Sequence, residues 1–192
     1  MSRASRADAA RHHEELIEIA SRRMREHGID AVSVPGVMSE IGLTRGGFYK
    51  HFASKEALVT TAIEASFREM RDRIGQFAAQ HSDDPAARRI AVLDWYLSAE
   101  HRDDPGSGCP SALASAVSQT DSDSAPRKAF VEGFYEALAI NGVNQRGSNF
   151  DDREAAVVTE IMAMVGGLMM ARAAAGSPLS DAILSAVRRT LA

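Results

Sequence analysis

The chain has 192 residues, 45% hydrophobic and 25% charged, a composition typical of folded globular proteins that argues against disorder. Its formal net charge of -4 hides a mild asymmetry: residues 1–73 carry 12 basic and 11 acidic side chains, and the rest carries 10 and 15. The single cysteine, Cys109, excludes an internal disulfide and suits a reducing compartment. With no signal-peptide run and no uncharged apolar stretch near the roughly 20 residues that span a bilayer, we expect a cytoplasmic protein without membrane contact.

Apolar residues recur at helical spacing along nearly the whole chain, so we predict an all-α fold of about nine helices. Ser33, Thr44 and Ser54 are predicted to cap the helices that follow them, and Gly28 and Gly42 to end the helices that precede them. Clusters of turn-forming residues separate the later segments. The predicted helices cover residues 8–27, 34–41, 45–51, 55–80, 86–101, 110–119, 125–140, 151–175 and 178–191.

The stretch "GLTRGGFYKHFASKEAL", residues 42–58, places two glycines at the start of a short predicted helix. Gly46 and Gly47 each cost about 1 kcal/mol of helix propensity relative to alanine, but they let the backbone approach a neighbouring surface closely. Phe48 and Phe52, four residues apart, are predicted to form the buried face. Helical geometry then directs a polar set toward other faces: Arg45, Tyr49, Lys50 and His51.

Helix, short turn, helix is the arrangement of a helix-turn-helix, which places its second helix in the major groove of DNA. Arg45 is a candidate for guanine or phosphate contacts, Tyr49 and His51 are candidate phosphate donors, and an anion beside Lys55 would offset its unfavourable position at a helix start. The alternative is a tight corner between packed helices with solvated charges. The predicted DNA-binding residues are Ser33, Thr44, Arg45, Gly46, Gly47, Tyr49, Lys50, His51 and Lys55.

The segment "HGIDAVSVPGVMSEIGLTRGGFYKHFASKEALV" resembles the amino-terminal domain of the tetracycline-repressor (TetR) family of bacterial transcriptional regulators, without gaps from about Leu16 to Val59. The resemblance implies a homodimer that binds a near-palindromic DNA operator, represses transcription and releases the operator when a small molecule binds. It implies a DNA-binding domain over 1–54 and a ligand-binding and dimerisation domain over 55–192. Gly47 and Lys50 depart from the common family pattern, so the operator sequence is not predicted.

The carboxy-terminal part is predicted to hold the dimer interface and the ligand. The Ala-, Gly- and Met-rich helix over 151–175, with that over 178–191, could form a four-helix interface with a second subunit or simply an internal core. An apolar cavity there would suit a hydrophobic or aromatic inducer. The candidates, which also have the composition of an ordinary core, are Trp95, Tyr96, Cys109, Phe130, Phe134, Tyr135, Met162 and Met169.

Cys109 lies in the segment "PGSGCPSALAS", which resembles a "GCP…AL" element found in a subset of TetR-like regulators. Its place before Pro110 at a predicted helix start would stabilise a thiolate that reacts with oxidants or electrophiles; the alternative is a buried small residue. His12 and His13 are adjacent and are expected to point to different faces, so we predict no metal site and no cofactor. Without a phosphate loop or nucleophile elbow we predict no enzyme, and the alternative function is a helical small-molecule-binding adaptor.

Overall fold

The computed structural model describes residues 3–144, 146–147 and 149–192, with side chains in the first helix described from Arg6 onward. Over these residues the chain is helical without strands, which confirms the all-α prediction. Three 3-10 segments, Ile29–Ala31, Arg45–Lys50 and Pro110–Leu113, connect the α-helices. The α-helices are α1 (Arg3–His27), α2 (Val34–Glu40), α3 (Lys55–Gln80), α4 (Pro85–Tyr96), α5 (Ala99–Asp103), α6 (Ala114–Ser118), α7 (Ala125–Ile140), α8 (Asp152–Ala173) and α9 (Pro178–Leu191).

Most of the predicted starts and ends of the first helices are confirmed. The Ser33 hydroxyl accepts the Gly36 amide at 3.2 Å at the start of α2, and the Ser54 hydroxyl accepts the Ala57 amide at 3.0 Å at the start of α3. Gly28 and Gly42 have positive φ angles of 85° and 70°, so glycine is needed where these helices end. The prediction for Thr44 is wrong, because its side chain makes no capping hydrogen bond.

Three predicted helices differ in detail from the observed ones: one is divided in two, and two contain 3-10 turns. The segment 86–101 is divided at Leu97, because Ser98 caps a new helix by accepting the His101 amide at 3.0 Å. The segment 110–119 begins as a 3-10 turn and only then becomes α6. The segment 45–51 is likewise a 3-10 helix, in line with the low helix propensity of its two glycines.

Two hydrophobic cores share α3. The first joins α1, α2, the segment 45–50 and the amino-terminal half of α3, with Phe48 and Phe67 as its largest fully buried side chains. The second joins the end of α3 to α4, α8 and α9 around Leu93, Leu168 and Leu184. Because residues of α6 and α7 also enter the first core, the amino-terminal helices are fixed to the rest of the chain through α3.

Helix α8 is long and apolar enough to cross a membrane by length and composition alone. The same criteria are met by core helices of soluble proteins, and α8 packs against α4, α5 and α9. Leu168 and Ala171 are fully buried on its inner side, whereas Met162 and Met170 are 42% and 60% exposed on the outer side. One face of α8 therefore lies in the core, and the other is open.

Candidate functional site

The corner formed by α2, the segment 45–50 and the start of α3 is anchored by two phenylalanines. Phe48 is fully buried and Phe52 nearly so, with their ring centroids 5.9 Å apart. The side chains on the opposite side, Arg45, Tyr49 and Lys50, are exposed, and Tyr49 is 64% exposed although it is aromatic. The predicted division into a buried phenylalanine face and an outward polar face is therefore observed.

The two glycines of this corner have different surroundings. A Cβ atom added at Gly47 would lie 3.2 Å from Met38 Cε of α2, so the absence of a side chain there allows close packing. A Cβ atom added at Gly46 would meet nothing within 4 Å. Internal packing therefore accounts for Gly47 but gives no reason for Gly46, whose backbone is open to an external surface.

Three exposed cations lie within or shortly after the segment that contains Gly46. Arg45 and Lys50 lie in the 3-10 segment and Lys55 lies in the first turn of α3, and all three are exposed without an ion-pair partner among the described residues. Lys55 also stands beside the free amides at the start of α3, where the helix dipole already attracts anions. Cations and amide donors on one surface are the groups that bind phosphate.

Three histidines meet behind the same corner. The ring of His51 lies 6.2 Å from that of His12 and 6.4 Å from that of His13, measured between centroids, and His13 stacks on Phe52 at 4.5 Å. The expectation that His12 and His13 point to different faces is therefore wrong, because both approach one ring. Burial lowers the pKa of His51 below 6.5, and His13, His12 and Lys50 lower it further. Among the described residues no cluster has the ligands for a metal ion.

A cavity of about 510 Å³ lies between α3, α4, α7 and α8, within the range of small-molecule sites. Its walls are mostly apolar and include Phe67, Leu93 and Met164. Three of the predicted pocket residues line it, namely Tyr96, Cys109 and Phe134.

The other five candidates lie on different faces of these helices and do not line the cavity: Trp95, Phe130, Tyr135, Met162 and Met169. Trp95 stacks instead on the His101 ring, with centroids 4.7 Å apart, and Met162 faces outward. Most of the candidates lie on helices that border the cavity. Which of their side chains face it depends on how each helix is rotated in the fold.

Charged residues at the cavity were missed by the sequence reasoning. Arg88 and Arg89 of α4 and Arg153 and Glu160 of α8 line it, and Arg89 Nη2 lies 3.0 Å from Glu160 Oε1. The three arginines are exposed, so these residues form the open side of the cavity, which we call the mouth. The adjacent arginines at 88 and 89, one turn into a predicted helix, were the sequence signal for it.

Buried polar groups occupy the opposite side of the cavity. His101 Nδ1 lies 2.8 Å from the Tyr96 carbonyl oxygen, and His101 Nε2 accepts the Cys109 amide at 3.2 Å, so the neutral ring satisfies both bonds. Burial lowers the pKa of His101 to about 4. The Cys109 thiol accepts the Ser111 amide at 3.4 Å. The buried Tyr96 hydroxyl has no hydrogen-bond partner among the described residues, and burial followed by the nearby thiol raises its pKa.

The loop that carries Cys109 also contacts the amino-terminal helices. A Cβ atom on Gly106 would lie 2.5 Å from Glu26 Oε1 and 3.0 Å from Arg22 Cγ of α1, so the loop backbone packs directly on α1. On its other side, a Cβ atom on Gly108 would lie 3.3 Å from Arg172 Cζ of α8. One loop thus connects the cavity wall, α1 and α8.

The corner lies within a segment that is similar to known regulatory proteins. Residues 16–62 match the model described as "Bacterial regulatory proteins, tetR family". A segment of 51 residues is 39% identical to the uncharacterized HTH-type transcriptional regulator YerO of Bacillus subtilis, covering 27% of this chain and 18% of that protein. Another of 81 residues is 26% identical to the HTH-type transcriptional regulator BetI of Stenotrophomonas maltophilia, covering 42% of this chain and 41% of that protein. The matches thus span less than half of these relatives.

Solved structures resemble the chain over nearly its whole length. A TetR-family transcriptional regulator from Agrobacterium tumefaciens superposes with a TM-score of 0.75 at 17% identity, covering 95% of this chain and 96% of that one. The reduced form of Escherichia coli NemR gives 0.69 at 18% identity, covering 94% and 95%. Residues 16–62 are therefore similar to the tetR family of bacterial regulatory proteins, and the whole chain has the fold of these solved structures.

Proposed function

We propose that the protein is a DNA-binding transcriptional regulator that represses by occupying an operator and releases it when a small molecule fills the cavity. The observation that carries this proposal is the open, cationic face of the segment 45–50, held by buried Phe48 and Phe52 within the segment that matches the family. Gly46 would allow the backbone to approach DNA, and the exposed side chains of Arg45, Tyr49 and Lys50 in the same segment would contact it.

In this proposal residues 1–54 bind DNA and residues 55–192 bind the ligand and the second subunit of a cytoplasmic homodimer. The exposed face of α8 and α9 supports the dimer, because Met170 and Leu179 are each 60% exposed and Gly166 has no neighbour within 4 Å of an added Cβ. Exposed apolar surface of this kind is typical of protein interfaces. Two subunits would present two recognition segments to a near-palindromic operator, about one DNA turn or more apart.

The loop carrying Cys109 supports the ligand response. It forms part of the cavity wall at Cys109 and packs on α1 at Gly106, so a ligand that displaces the wall would also shift α1. A shift of this kind changes DNA affinity only if the ligand binds one arrangement better than the other. Reactivity of Cys109 with electrophiles stays a prediction; the thiol is only 6% exposed and borders the cavity.

The test is a titration of the full-length protein with the DNA upstream of its own gene, read by fluorescence anisotropy against a scrambled fragment of equal length. Arg45→Ala should weaken operator binding by about tenfold or more, because a bidentate base contact is worth roughly 1–3 kcal/mol. Lys55→Ala should lower the slope of log affinity against log salt by about 1.

Lys128→Ala, an exposed lysine of α7, is the matched control and should change neither quantity. Equal affinity for operator and scrambled DNA would favour an adaptor without specific DNA binding. Full operator affinity in both the Arg45 and Lys55 variants would remove the assignment of this face.

A further inference from the structure

The polar residues around the cavity fall into two groups that differ in charge as well as exposure. At the mouth, Arg88, Arg89 and Arg153 are exposed and Glu160 is partly exposed. At the buried side, the polar side chains are those of Tyr96, Cys109 and Ser111, none of which is an acidic or basic residue type, and the uncharged Asn141 is exposed. The charges of the cavity wall are therefore gathered at its open side.

The mouth carries more positive than negative charge. Arg89 is paired with Glu160 at 3.0 Å, whereas Arg88 and Arg153 have no ion-pair partner among the described residues. Arg88 lies on α4 and Arg153 on α8, so the two uncompensated guanidinium groups approach the mouth from different helices. Planar guanidinium groups bind carboxylates and other oxyanions with paired hydrogen bonds.

The interior excludes a ligand that is charged along its whole length. Between the mouth and the buried groups the wall is formed by apolar side chains, among them Met70, Ile74, Val92, Phe134 and Met164. Burying an uncompensated charge against such side chains is costly, whereas burying an aliphatic or aromatic body is favourable. A volume of about 510 Å³ accommodates a small organic molecule rather than a peptide.

We propose that the cavity binds an amphipathic organic anion, with its carboxylate or equivalent acidic group at Arg88 and Arg153 and its aliphatic or aromatic body in the interior. The proposal rests on the proposed function only in that this anion is the molecule to which the regulator responds. It keeps the hydrophobic or aromatic body predicted from the sequence and adds an acidic head group, because the arginines lie at the mouth.

The test compares probes that share one apolar body and differ in the head group. Octanoate, octan-1-ol and octylammonium, and in parallel 2-naphthoate, 2-naphthylmethanol and 2-naphthylmethylammonium, are titrated into the full-length protein by calorimetry at pH 7.5 and low salt. The carboxylate should bind about tenfold more tightly than the alcohol, since two exposed ion pairs contribute on that order, and the ammonium should bind most weakly. High salt should reduce the difference.

Variants of opposite sign separate head-group recognition from damage to the fold. Arg88→Gln combined with Arg153→Gln should bring the carboxylate close to the alcohol and leave the alcohol unchanged. Glu160→Gln should tighten carboxylate binding by about two- to threefold, because it frees Arg89, and a misfolded protein does not gain affinity. Arg68→Gln, an exposed arginine of α3 outside the cavity wall, is the matched control.

Equal affinity for the three head groups, preference for the alcohol or the ammonium, or failure of both carboxylates to bind would overturn the proposal. The same preparations are titrated with operator DNA, so the two proposals fail separately. A protein that binds operator DNA but ignores the head group refutes only the ligand class. A protein that prefers the carboxylates but shows no operator affinity refutes only the regulator.

Discussion

Two pairs of adjacent glycines, one in each half of the chain, have the same division of roles. At Gly47 an added Cβ would meet Met38 Cε at 3.2 Å, and at Gly167 it would meet Val187 Cγ2 at 2.9 Å. At Gly46 and Gly166 it would meet nothing within 4 Å. Packing within the chain therefore explains why the second residue of each pair is a glycine. It does not explain the first, which is open to contact with another molecule.

The difference between the pairs lies in the neighbour. Met38 presents the end of a flexible side chain that can move aside, whereas Val187 is branched at Cβ and is held on α9 against α8. The amino-terminal corner can thus adjust to a new side chain, but the contact between α8 and α9 cannot do so without moving a helix. The corner has an exposed polar face, whereas the helices of the carboxy-terminal half are packed around the cavity.

The largest expected effect is on the pH dependence of stability, and it comes from a histidine of the carboxy-terminal half rather than one of the corner. His101 is buried and its neutral ring satisfies both hydrogen bonds, whereas His51 lies beside other histidines and Lys50 near the open face. Since the pKa of His101 is lowered to about 4, its stabilisation is complete above about pH 6.5 and is lost as the pH falls toward 4. The free energy of unfolding should drop by about 2 kcal/mol between pH 7.5 and 5 from this residue alone.

Urea unfolding of the wild type and of His101→Gln at both pH values measures that contribution. The variant should be less stable at pH 7.5, and its loss on acidification should be smaller than that of the wild type by about 2 kcal/mol. His81→Gln, a partly exposed histidine outside both cores, is the control. An unchanged acid dependence in the His101 variant would show that the ring is not the group that titrates.

The second prediction separates the glycines of the corner. Gly46→Ala should raise the free energy of unfolding by up to about 1 kcal/mol, because it restores helix propensity without meeting a neighbour. It should nevertheless weaken operator binding by about tenfold, or about 1.4 kcal/mol, because the added methyl group would stand between the backbone and DNA. Chemical denaturation and anisotropy titration give the two values. A variant as active as the wild type would remove the close approach assigned to Gly46.

The third prediction tests the other pair. Gly167→Ala should destabilise the subunit by about 1 kcal/mol, since crowding against Val187 costs roughly 1–3 kcal/mol and helix propensity returns up to about 1. Gly166→Ala should stabilise the subunit but weaken the dimer, if α8 packs closely on its symmetry mate. Analytical ultracentrifugation over a dilution series distinguishes them. A stronger dimer in the Gly166 variant would move the interface away from this face of α8.

Local features of the fold followed from the sequence. Helix starts at Ser33 and Ser54, the buried pair Phe48 and Phe52, and the exposed position of Arg45 were predicted because each depends on spacing within a few residues. The spacing of residues within one helix does not reveal how far that helix is rotated about its axis when it packs against another. For that reason the sequence does not show that Tyr96 lines the cavity while its neighbour Trp95 does not.

The charged residues of the mouth were missed for a related reason. Arg88 and Arg153 lie 65 positions apart in the sequence, on α4 and α8, and line one cavity because these two helices pack against each other. In the sequence each resembles an ordinary solvated arginine. The sequence also does not predict the break at Leu97. Ser98 marks it only because its hydroxyl accepts the His101 amide, and nothing nearby distinguishes this serine from others in the chain.

The smallest expected effect concerns the hydroxyl at the buried side of the cavity. Because Tyr96 Oη is buried without a hydrogen-bond partner among the described residues, Tyr96→Phe should raise the free energy of unfolding by up to about 1 kcal/mol. Tyr135→Phe is the control and should change little, since that ring is only partly buried. A ligand with an acceptor at its inner end would bind the variant more weakly, so stability and affinity should change in opposite directions. A less stable Tyr96 variant would mean that the hydroxyl already has a hydrogen-bond partner. The cavity would then bind its ligand through the charged arginines at the mouth, with no free hydrogen-bond donor at its buried side.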